Sequence, residues 1–318
     1  MRAVVYDRYG GPEVLRLEEV AVPVPRAGQV LVRVVATSLN LSDWEALVGS
    51  PAYARLGGLR RPRRHVLGSD IAGVVEAVGP GVTGFAPDDE VYGDNLALLG
   101  GFAEYAVAAA TALAPKPPSL SFVDASTIPQ AGVIALQGTA GAEPGSRVLV
   151  NGAGGGSGAF ALQLARAAGA HVTGVDNAGK LDFMRSLGAD EVVDYRATDF
   201  TRLPPHDLVL DLVAHRSVFA YRRALRPGGR YRCVGGSART LVRLVTVGTV
   251  LGLATGRRIG VLPVRMGPEH FTPMAQRVVA GDVTVHVDRV VGLEDVPAAL
   301  AHVGAGRALG KVVVEVAR

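Results

Sequence analysis

The stretch VLVNGAGGGSG, residues 148–158, and the stretch HVTGVD, residues 171–176, decide how this chain of 318 residues folds. They read as an apolar strand, a glycine turn and, after a helix with apolar residues at helical spacing, a second strand that ends in Asp176. Glycines let backbone N–H groups approach a diphosphate closely, and the N-terminus of the following helix adds partial positive charge. This order predicts a βαβ unit that binds a dinucleotide.

The glycine turn fits the pattern G-x-G-x-x-G with alanine in the first position. The residues predicted to contact the cofactor here are Ala153, Gly154, Gly155, Gly156, Ser157 and Gly158. Asp176 follows Gly158 by 18 residues (176 − 158), close to the separation of about 20 that brings an acid to the ribose. The alternative is a glycine-rich connection in another α/β protein, but the apolar strand before the turn and the helix after it favour a nucleotide site.

Composition limits the class of protein. Hydrophobic residues make up 48% of the chain and charged residues 19%, as in a compact folded protein of about two domains. The net charge of +4 gives no indication of nucleic-acid binding. A single cysteine, Cys233, excludes an internal disulfide framework and a cysteine-based zinc cluster.

Targeting signals are not evident in the sequence. The first residues run directly into a strand pattern rather than a signal peptide, and the longest apolar stretch, Leu244 to Ala254, is too short to span a bilayer. We therefore expect a cytoplasmic protein that acts on a small-molecule substrate, without a membrane or a nucleic acid as partner.

The hydrophobic period changes along the chain. Short apolar or alternating runs separated by Pro and Gly occupy residues 1 to about 110, which predicts a small β-barrel or sandwich. From about residue 120, strands alternate with helices, as in a parallel sheet covered by helices. Two further strands, 283–287 and 310–316, are predicted to return to the N-terminal domain. The expected domains are therefore 1–121 with 268–318, and 122–267, with an active site in the cleft between them.

Further segments distributed over nearly the whole chain carry a family resemblance. They are Tyr9–Leu15, Asn40–Trp44, Leu67–Val75, Asp89–Gly93, Ser186–Asp190, Asp194–Tyr195, Pro227–Gly229 and Gly310–Val313. In this order they resemble the medium-chain dehydrogenase/reductase superfamily, and within it the zinc-independent, quinone-oxidoreductase-like branch. The resemblance implies an α/β protein with a GroES-like β-barrel catalytic domain and a Rossmann doubly wound parallel sheet, and it implies a homodimer.

The resemblance also bears on metal chemistry. Zinc-dependent relatives have Cys at the position of Asn40 and His-Glu at the positions of Ser69 and Asp70. The structural zinc lobe with its four cysteines is missing, and the seven histidines show no paired metal spacing. We therefore expect no metal.

Without a metal, hydrogen-bond donors have to stabilise the charge that develops on a carbonyl oxygen when hydride adds. This favours NAD(P)H-dependent reduction of a quinone or of the C=C bond of an α,β-unsaturated carbonyl compound. The candidate catalytic residues are Tyr53, at a position where some enoyl reductases of the family have tyrosine, Asn40, and Asp43. Alternatively, Asp43 caps a helix and Tyr53 packs in its loop.

Two other functions are also compatible with the sequence. A metal-free alcohol/ketone oxidoreductase is one alternative, and a cofactor-binding protein without turnover is another. Many relatives have Thr where this chain has Ile134, which favours the latter. The basic run Arg60–Arg64 is either a solvated loop or an entrance for an anionic substrate, and the apolar segment 241–262 either a lid or a subunit contact.

The sequence favours NADH and NADPH nearly equally. Asp176 favours NADH, because a carboxylate accepts hydrogen bonds from both ribose hydroxyls and repels a 2′-phosphate. Lys180 and Tyr195 match positions that bind the 2′-phosphate in NADPH-dependent quinone oxidoreductases. The alternatives for Lys180 are an ion pair that neutralises Asp176 and exposure to solvent. The remaining residues predicted to contact the cofactor are Asn177, Val234, Gly235 and Gly236.

Overall fold

A computed structural model describes residues 1–56 and 58–316 of the chain. They form two compact units. The first comprises residues 1–133, 265–281 and the described residues from 285 onward, and the second comprises Ile134–Val264 with Asp282–Thr284. Residues 122–133, which were expected in the second domain, thus pack with the first unit. The division into a catalytic and a dinucleotide-binding domain at the expected boundaries stays a prediction.

The strands, in chain order, are β1 (Arg2–Val5), β2 (Arg16–Glu19), β3 (Gln29–Leu39), β4 (Asp70–Val78), β5 (Glu90–Asp94), β6 (Tyr105–Ala109), β7 (Leu113–Pro115), β8 (Arg147–Asn151), β9 (His171–Asp176), β10 (Glu191–Asp194), β11 (His206–Asp211), β12 (Leu225–Cys233), β13 (Arg258–Val261), β14 (Val287–Val291) and β15 (Lys311–Glu315). The helices are α1 (Leu41–Val48), α2 (Phe122–Thr127), α3 (Pro129–Thr139), α4 (Gly156–Ala167), α5 (Leu181–Ser186), α6 (Val218–Arg223), α7 (Ala238–Arg243), α8 (Thr249–Ala254), α9 (Pro268–Val279) and α10 (Val296–Gly304).

The first unit is built around β3. This strand is buried over most of its eleven residues and belongs to a seven-stranded sheet of order β14-β15-β3-β4-β5-β7, in which β6 also pairs with β3. The last strand, β15, lies antiparallel to β3 with Val312 opposite Leu39. The predicted return of the C-terminal strands to the N-terminal sheet is therefore confirmed.

The second unit contains a parallel sheet of order β10-β9-β8-β11-β12-β13. The chain order of the strands reverses between β8 and β11, and such switch points are where open α/β sheets bind ligands. The glycine turn predicted from the sequence follows β8, directly at this reversal. The sheet confirms the predicted Rossmann architecture.

The structure defines three further segments in detail. Helix α2 ends at Thr127 and α3 begins at Pro129. The strand predicted over 283–287 instead begins at Val287. The segment 238–262 forms α7, a π-helical turn (Leu244–Gly248), α8 and β13. No helix among the described residues is long and apolar enough to cross a membrane.

Candidate functional site

The glycine turn between β8 and α4 is held against β9 by backbone hydrogen bonds. The N–H groups of Gly152 and Ala153 both donate to the carbonyl oxygen of Val175, at 2.9 and 3.1 Å. Gly155 precedes the first turn of α4, and its own N–H donates to the Gly152 carbonyl at 3.2 Å. The helix therefore begins at a fixed position beside the end of the strand.

Different physical constraints favour glycine at the different positions of this turn. Gly152 has a positive φ of 84°, which disfavours other residues. A Cβ on Gly158 would overlap the Gly152 carbonyl oxygen, so this glycine permits close packing of helix and turn. A Cβ on Gly155 would meet only that same oxygen, at 3.5 Å. The space at Gly155 therefore suits a diphosphate at a helix N-terminus.

Asp176 forms part of the turn itself. Its Oδ2 accepts a hydrogen bond from the Gly154 N–H at 3.0 Å, and its Oδ1 accepts from the backbone and side-chain nitrogens of Asn177 at 2.8 and 3.0 Å. The Lys180 ammonium lies 3.6 Å from Oδ2, and both side chains are largely buried. This ion pair balances the charge of the carboxylate beside the predicted ribose site.

The other predicted cofactor residues lie at neighbouring strand ends. The Tyr195 N–H donates to the Asp176 carbonyl at 3.1 Å, and the Arg196 guanidinium lies 5.6 Å from the centre of the Tyr195 ring. The Val234 N–H donates to the Asp211 carbonyl at 2.9 Å, and Gly235 and Gly236 follow with positive φ. The roles of all these residues in binding stay predictions.

Asp211 connects three strands at the same edge of the sheet. Its side chain is buried and accepts hydrogen bonds from Asn151 Nδ2 and the Tyr231 hydroxyl, both at 2.8 Å. It also accepts from the backbone N–H groups of Val213 and Ala214. These contacts occupy the carboxylate, so Asp211 positions the ends of β8, β11 and β12.

In the first unit, Asn40 lies at the end of β3 within a buried polar cluster. Its Nδ2 donates to Asp70 Oδ2 at 2.9 Å and to Ser69 Oγ at 3.2 Å. Its Oδ1 accepts from the Lys311 ammonium at 2.6 Å, which fixes the amide orientation because an ammonium can only donate. Both amide hydrogens are therefore engaged within the protein.

Lys311, on the last strand, was not among the residues predicted to be functional. Its side chain is buried, and the ammonium lies 3.2 Å from the Leu39 carbonyl oxygen and 3.6 Å from Asp70 Oδ2. Burial lowers the pKa of Lys311, while the charge of Asp70 opposes that shift. Asp70 is buried as well and accepts further hydrogen bonds from Ser38 Oγ and the Gln130 N–H.

Two more carboxyl groups belong to this buried cluster. Asp43 accepts from the Asn40 N–H at 2.8 Å and the Gly68 N–H at 3.1 Å, and burial raises its pKa to about 7. Burial and then the charge of Asp70 raise the pKa of Asp94 to about 7. Asp94 Oδ1 accepts from the Leu96 N–H, while Oδ2 is buried without a hydrogen-bond partner in the described structure. The charges of Asp70, Asp43 and Asp94 all act on the Lys311 ammonium and raise its pKa, which opposes the effect of burial.

These contacts give the predicted catalytic residues different positions. Asp43 and Asn40 form a capping box at the start of α1, which is the helix-capping alternative considered for Asp43. Tyr53 lies in a 3-10 turn (Ala52–Arg55), with its hydroxyl 3.5 Å from Glu45 Oε2 on the same helix. Asn40 and Asp43 are therefore together in the cluster, and Tyr53 contacts the helix that they begin.

The residues at the positions where zinc-dependent relatives have their ligands do not suit a zinc ion. Asn40, Ser69 and Asp70 are hydrogen-bonded to one another, and the Lys311 ammonium already lies against the amide oxygen. A second cation at this oxygen would be repelled, and zinc prefers Cys, His or carboxylate ligands. Within residues 1–56 and 58–316, no group of three or more His, Cys, Asp or Glu side chains is arranged to hold a metal.

Comparisons with known proteins agree with both units of the fold. A family described as "Alcohol dehydrogenase GroES-like domain" matches residues 26–118, and one described as "Zinc-binding dehydrogenase" matches residues 187–314. The chain is 32% identical to a chloroplastic quinone oxidoreductase from Triphysaria versicolor, over 99% of this chain and 98% of that protein. The chain therefore belongs to the medium-chain dehydrogenase/reductase superfamily, among its quinone-oxidoreductase-like proteins.

Other similar proteins have related names. A trans-enoyl reductase from Aspergillus terreus is 30% identical over 91% of this chain and 86% of its own. A solved quinone oxidoreductase from Coxiella burnetii has a TM-score of 0.90 and 28% identity, covering 100% of this chain and 99% of its own. A solved NAD-dependent alcohol dehydrogenase has a TM-score of 0.82 and 32% identity, with complete coverage of both chains. A mycobacterial protein complexed with NADPH has a TM-score of 0.82 and 26% identity, covering 99% of both.

Proposed function

We propose that this protein is an NAD(P)H-dependent reductase of quinones or of the C=C bond of α,β-unsaturated carbonyl compounds. The names of its relatives support this reaction class. The observation that carries the proposal is the glycine turn at the sheet reversal, where Gly155 offers open backbone at a helix N-terminus. A bound nicotinamide coenzyme supplies the hydride, and the protein supplies position and charge stabilisation.

The coenzyme site is proposed to accept both NADH and NADPH. Lys180 lies beside Asp176 and offsets the negative charge that would repel a 2′-phosphate. Arg196, beside Tyr195, provides a second cation at the neighbouring strand end. We expect the affinities for the two coenzymes to differ by less than about tenfold, or about 1.4 kcal/mol.

The proposed reaction proceeds without a metal. Tyr53 is proposed to donate a hydrogen bond to the substrate carbonyl, where negative charge develops as hydride adds to the far carbon. Asn40 and Asp43 act as positioning residues, because the Asn40 amide hydrogens and the Asp43 carboxylate are already engaged within the cluster. This modifies the direct role predicted for them from the sequence.

A spectrophotometric panel tests the proposal. NADH and NADPH are each offered with a quinone, a simple enone, an enoyl thioester and a ketone, and coenzyme oxidation is followed. We expect turnover with the quinone or an enone and none with the ketone. A Tyr53→Phe variant should bind coenzyme normally and turn over the enone more slowly by about 100-fold.

The similarity to a solved alcohol dehydrogenase favours a second candidate, a metal-free alcohol/ketone oxidoreductase. Turnover restricted to alcohols and ketones would identify that activity, and tight coenzyme binding without turnover would indicate a binding protein. The homodimer and the cytoplasmic location stay predictions.

A further inference from the structure

Gln130 lies beside the buried cluster of the first unit, at the start of α3. Its backbone N–H donates to Asp70 Oδ1 at 3.1 Å, and its side-chain Oε1 accepts from Ser42 Oγ at 2.9 Å. These two contacts hold the backbone and the amide group of Gln130 in place. The residue is buried, with 8% of its surface exposed.

The amide nitrogen of Gln130 keeps its hydrogens available. The amide is planar, so the contact of Oε1 with Ser42 also fixes the direction in which Nε2 donates. Within residues 1–56 and 58–316, Nε2 has no hydrogen-bond partner, and it is not one of the unpartnered atoms that the protein encloses completely. A donor so placed is unfavourable unless a bound molecule pairs with it. Asn40 differs, because Asp70 and Ser69 already take its amide hydrogens.

Gln130 and Tyr53 contact the same face of α1. Ser42 holds the Gln130 amide, and Glu45 Oε2 lies 3.5 Å from the Tyr53 hydroxyl. Ser42 and Glu45 are three residues apart on this helix, and residues at this spacing are neighbours on a helix surface, with Cβ atoms about 5 to 6 Å apart. An amide donor and a phenol donor therefore lie close together along one face of α1.

The start of α3 favours negative charge near Nε2. Gln130 is the second residue of this eleven-residue helix, whose first turn contains no acidic residue and carries the partial positive charge of the helix dipole. The Asp70 carboxylate that accepts from the Gln130 N–H lies 3.6 Å from the Lys311 ammonium, which offsets its charge. An anionic oxygen beside Nε2 would gain from both the amide and the helix.

We propose that Gln130 is a further catalytic residue, whose Nε2 donates a hydrogen bond, together with the Tyr53 hydroxyl, to the substrate oxygen on which negative charge develops. This inference rests on the proposed reductase function. Hydride adds to the far carbon of an enone, the electron pair of the C=C bond shifts to form an enolate, and the enolate takes a proton at its α-carbon from water, while the coenzyme is oxidised. Two fixed donors stabilise the enolate oxygen, and they serve equally for the oxygen of a hydroquinone anion.

Steady-state kinetics of the full chain test this role, with the enone or quinone that the wild type reduces fastest. Gln130→Met keeps the length of the side chain and removes its donors. We expect kcat to fall by about 100-fold. We expect KM to change by less than about threefold, because the hydrogen bond strengthens as charge develops. Gln130→Leu should give the same pattern and serves as a second variant.

Two further variants separate catalysis from structure. Ser42→Ala removes the same hydrogen bond to Oε1 but leaves the Nε2 donor, so it should shift the unfolding midpoint as Gln130→Met does and lower kcat by at most about tenfold. Gln276→Met makes the same substitution at an exposed glutamine on α9 in the first unit, and it should turn over like the wild type.

Binding of 4-nitrophenolate tests the donor without turnover, because this anion carries its charge on one oxygen as an enolate does. The probe is titrated by its absorbance into the full chain with oxidised coenzyme, and 4-nitroanisole is its uncharged counterpart. We expect Gln130→Met to weaken nitrophenolate binding by about tenfold or more, since hydrogen bonds to charged groups are the stronger ones. The affinity for nitroanisole should change by less than about twofold.

The outcomes distinguish this inference from the proposed function. Equal losses of kcat in Gln130→Met and Ser42→Ala would refute the catalytic role, because Gln130 would then only join α3 to α1. Equal losses of affinity for nitrophenolate and nitroanisole would refute it too, as would a wild-type protein that does not prefer the anion. A wild-type protein that reduces neither quinones nor enones, but loses its preference for nitrophenolate in Gln130→Met, would overturn the proposed function and leave the donor at Gln130 in place.

Discussion

Lys311 is the residue on which the buried cluster of the first unit depends. Its ammonium faces Asn40 and Asp70, and the nearby carboxyl groups of Asp43 and Asp94 are buried as well. A buried ion pair adds little net stability relative to an apolar pair, but removal of one partner leaves an uncompensated charge. The cluster therefore constrains which substitutions the fold tolerates.

We predict that Lys311→Met lowers the free energy of unfolding by about 3 to 5 kcal/mol. Methionine retains the length of the side chain but leaves Asp70 buried without its cation. Urea unfolding followed by circular dichroism measures the change.

The double variant Lys311→Met with Asp70→Asn is the control for this prediction. Since it removes both charges, it should recover about 1 to 3 kcal/mol relative to the sum of the single variants. Strictly additive losses would mean that the two charges do not interact.

Asp94 should make stability depend on pH. Its pKa is raised from 3.8 to about 7 in the folded protein, so the folded state binds more protons than the unfolded state between these values. Its contribution to stability therefore decreases as the pH rises from about 4 to about 7 and is constant above that range. Asp94→Asn should match the wild type near pH 4 and be more stable by about 1 to 3 kcal/mol near pH 8.

The matched control for Asp94 is Asp182→Asn, which changes a fully exposed carboxylate. The difference between each variant and the wild type is followed by urea unfolding across the pH range. A difference for Asp94→Asn that does not vary with pH would show that the carboxyl group titrates normally.

The buried cluster was only partly predictable. Asn40 and Asp43 are three residues apart, and the sequence predicted both their proximity and the capping alternative. Lys311 lies 271 residues from Asn40, and no local pattern distinguishes a buried lysine from an exposed one. The register of β15 on β3 brings them together, and a single sequence does not provide that register.

At the scale of elements, substitutions in α4 and in the turn before it test the proposed nucleotide site. Gly155→Ala would place a methyl group in open space at the helix N-terminus, so we predict an unchanged unfolding midpoint and coenzyme binding weakened by about tenfold or more. Gly158→Ala would force the helix away from the Gly152 carbonyl, so we predict a loss of about 1 to 3 kcal/mol in unfolding free energy. Fluorescence titration with NADPH and urea unfolding measure the two effects.

The two variants serve as controls for each other because they add the same methyl group three residues apart. Normal coenzyme binding by Gly155→Ala would show that this turn does not contact the coenzyme. Unchanged stability of Gly158→Ala would mean that the helix adjusts easily at this contact.

Elements with a distinct local pattern were predictable, and the helical segment that is apolar on two faces was not. Strand β8, the glycine turn and α4 follow from the apolar run, the glycines and the helical spacing. The segment 238–262 carries Leu244 on its inner face and Val245 and Val250 on its outer face, so its helical period is hidden in a uniformly apolar pattern. Gly248 and Gly252 conceal it further, because glycine usually marks a break rather than close packing.

For the molecule as a whole, the separation of charge is the property that composition alone conceals. A net charge of +4 predicted no polyanionic partner, yet ten arginines lie within residues 212–264 and the remainder of the chain is net negative. An average over the chain hides such a division.

The stability of the whole protein should respond to coenzyme and not to metal removal. A ligand that binds only the folded state, at about 100 times its dissociation constant, adds about 2.7 kcal/mol, so NADPH and NADH should each raise the melting temperature. Because an ammonium already lies at the Asn40 oxygen, treatment with a chelator should leave both the melting temperature and turnover unchanged. Thermal unfolding with and without coenzyme, together with elemental analysis, checks both parts. Stoichiometric zinc whose removal lowers the melting temperature would contradict the proposed role of Lys311 as the cation at this position.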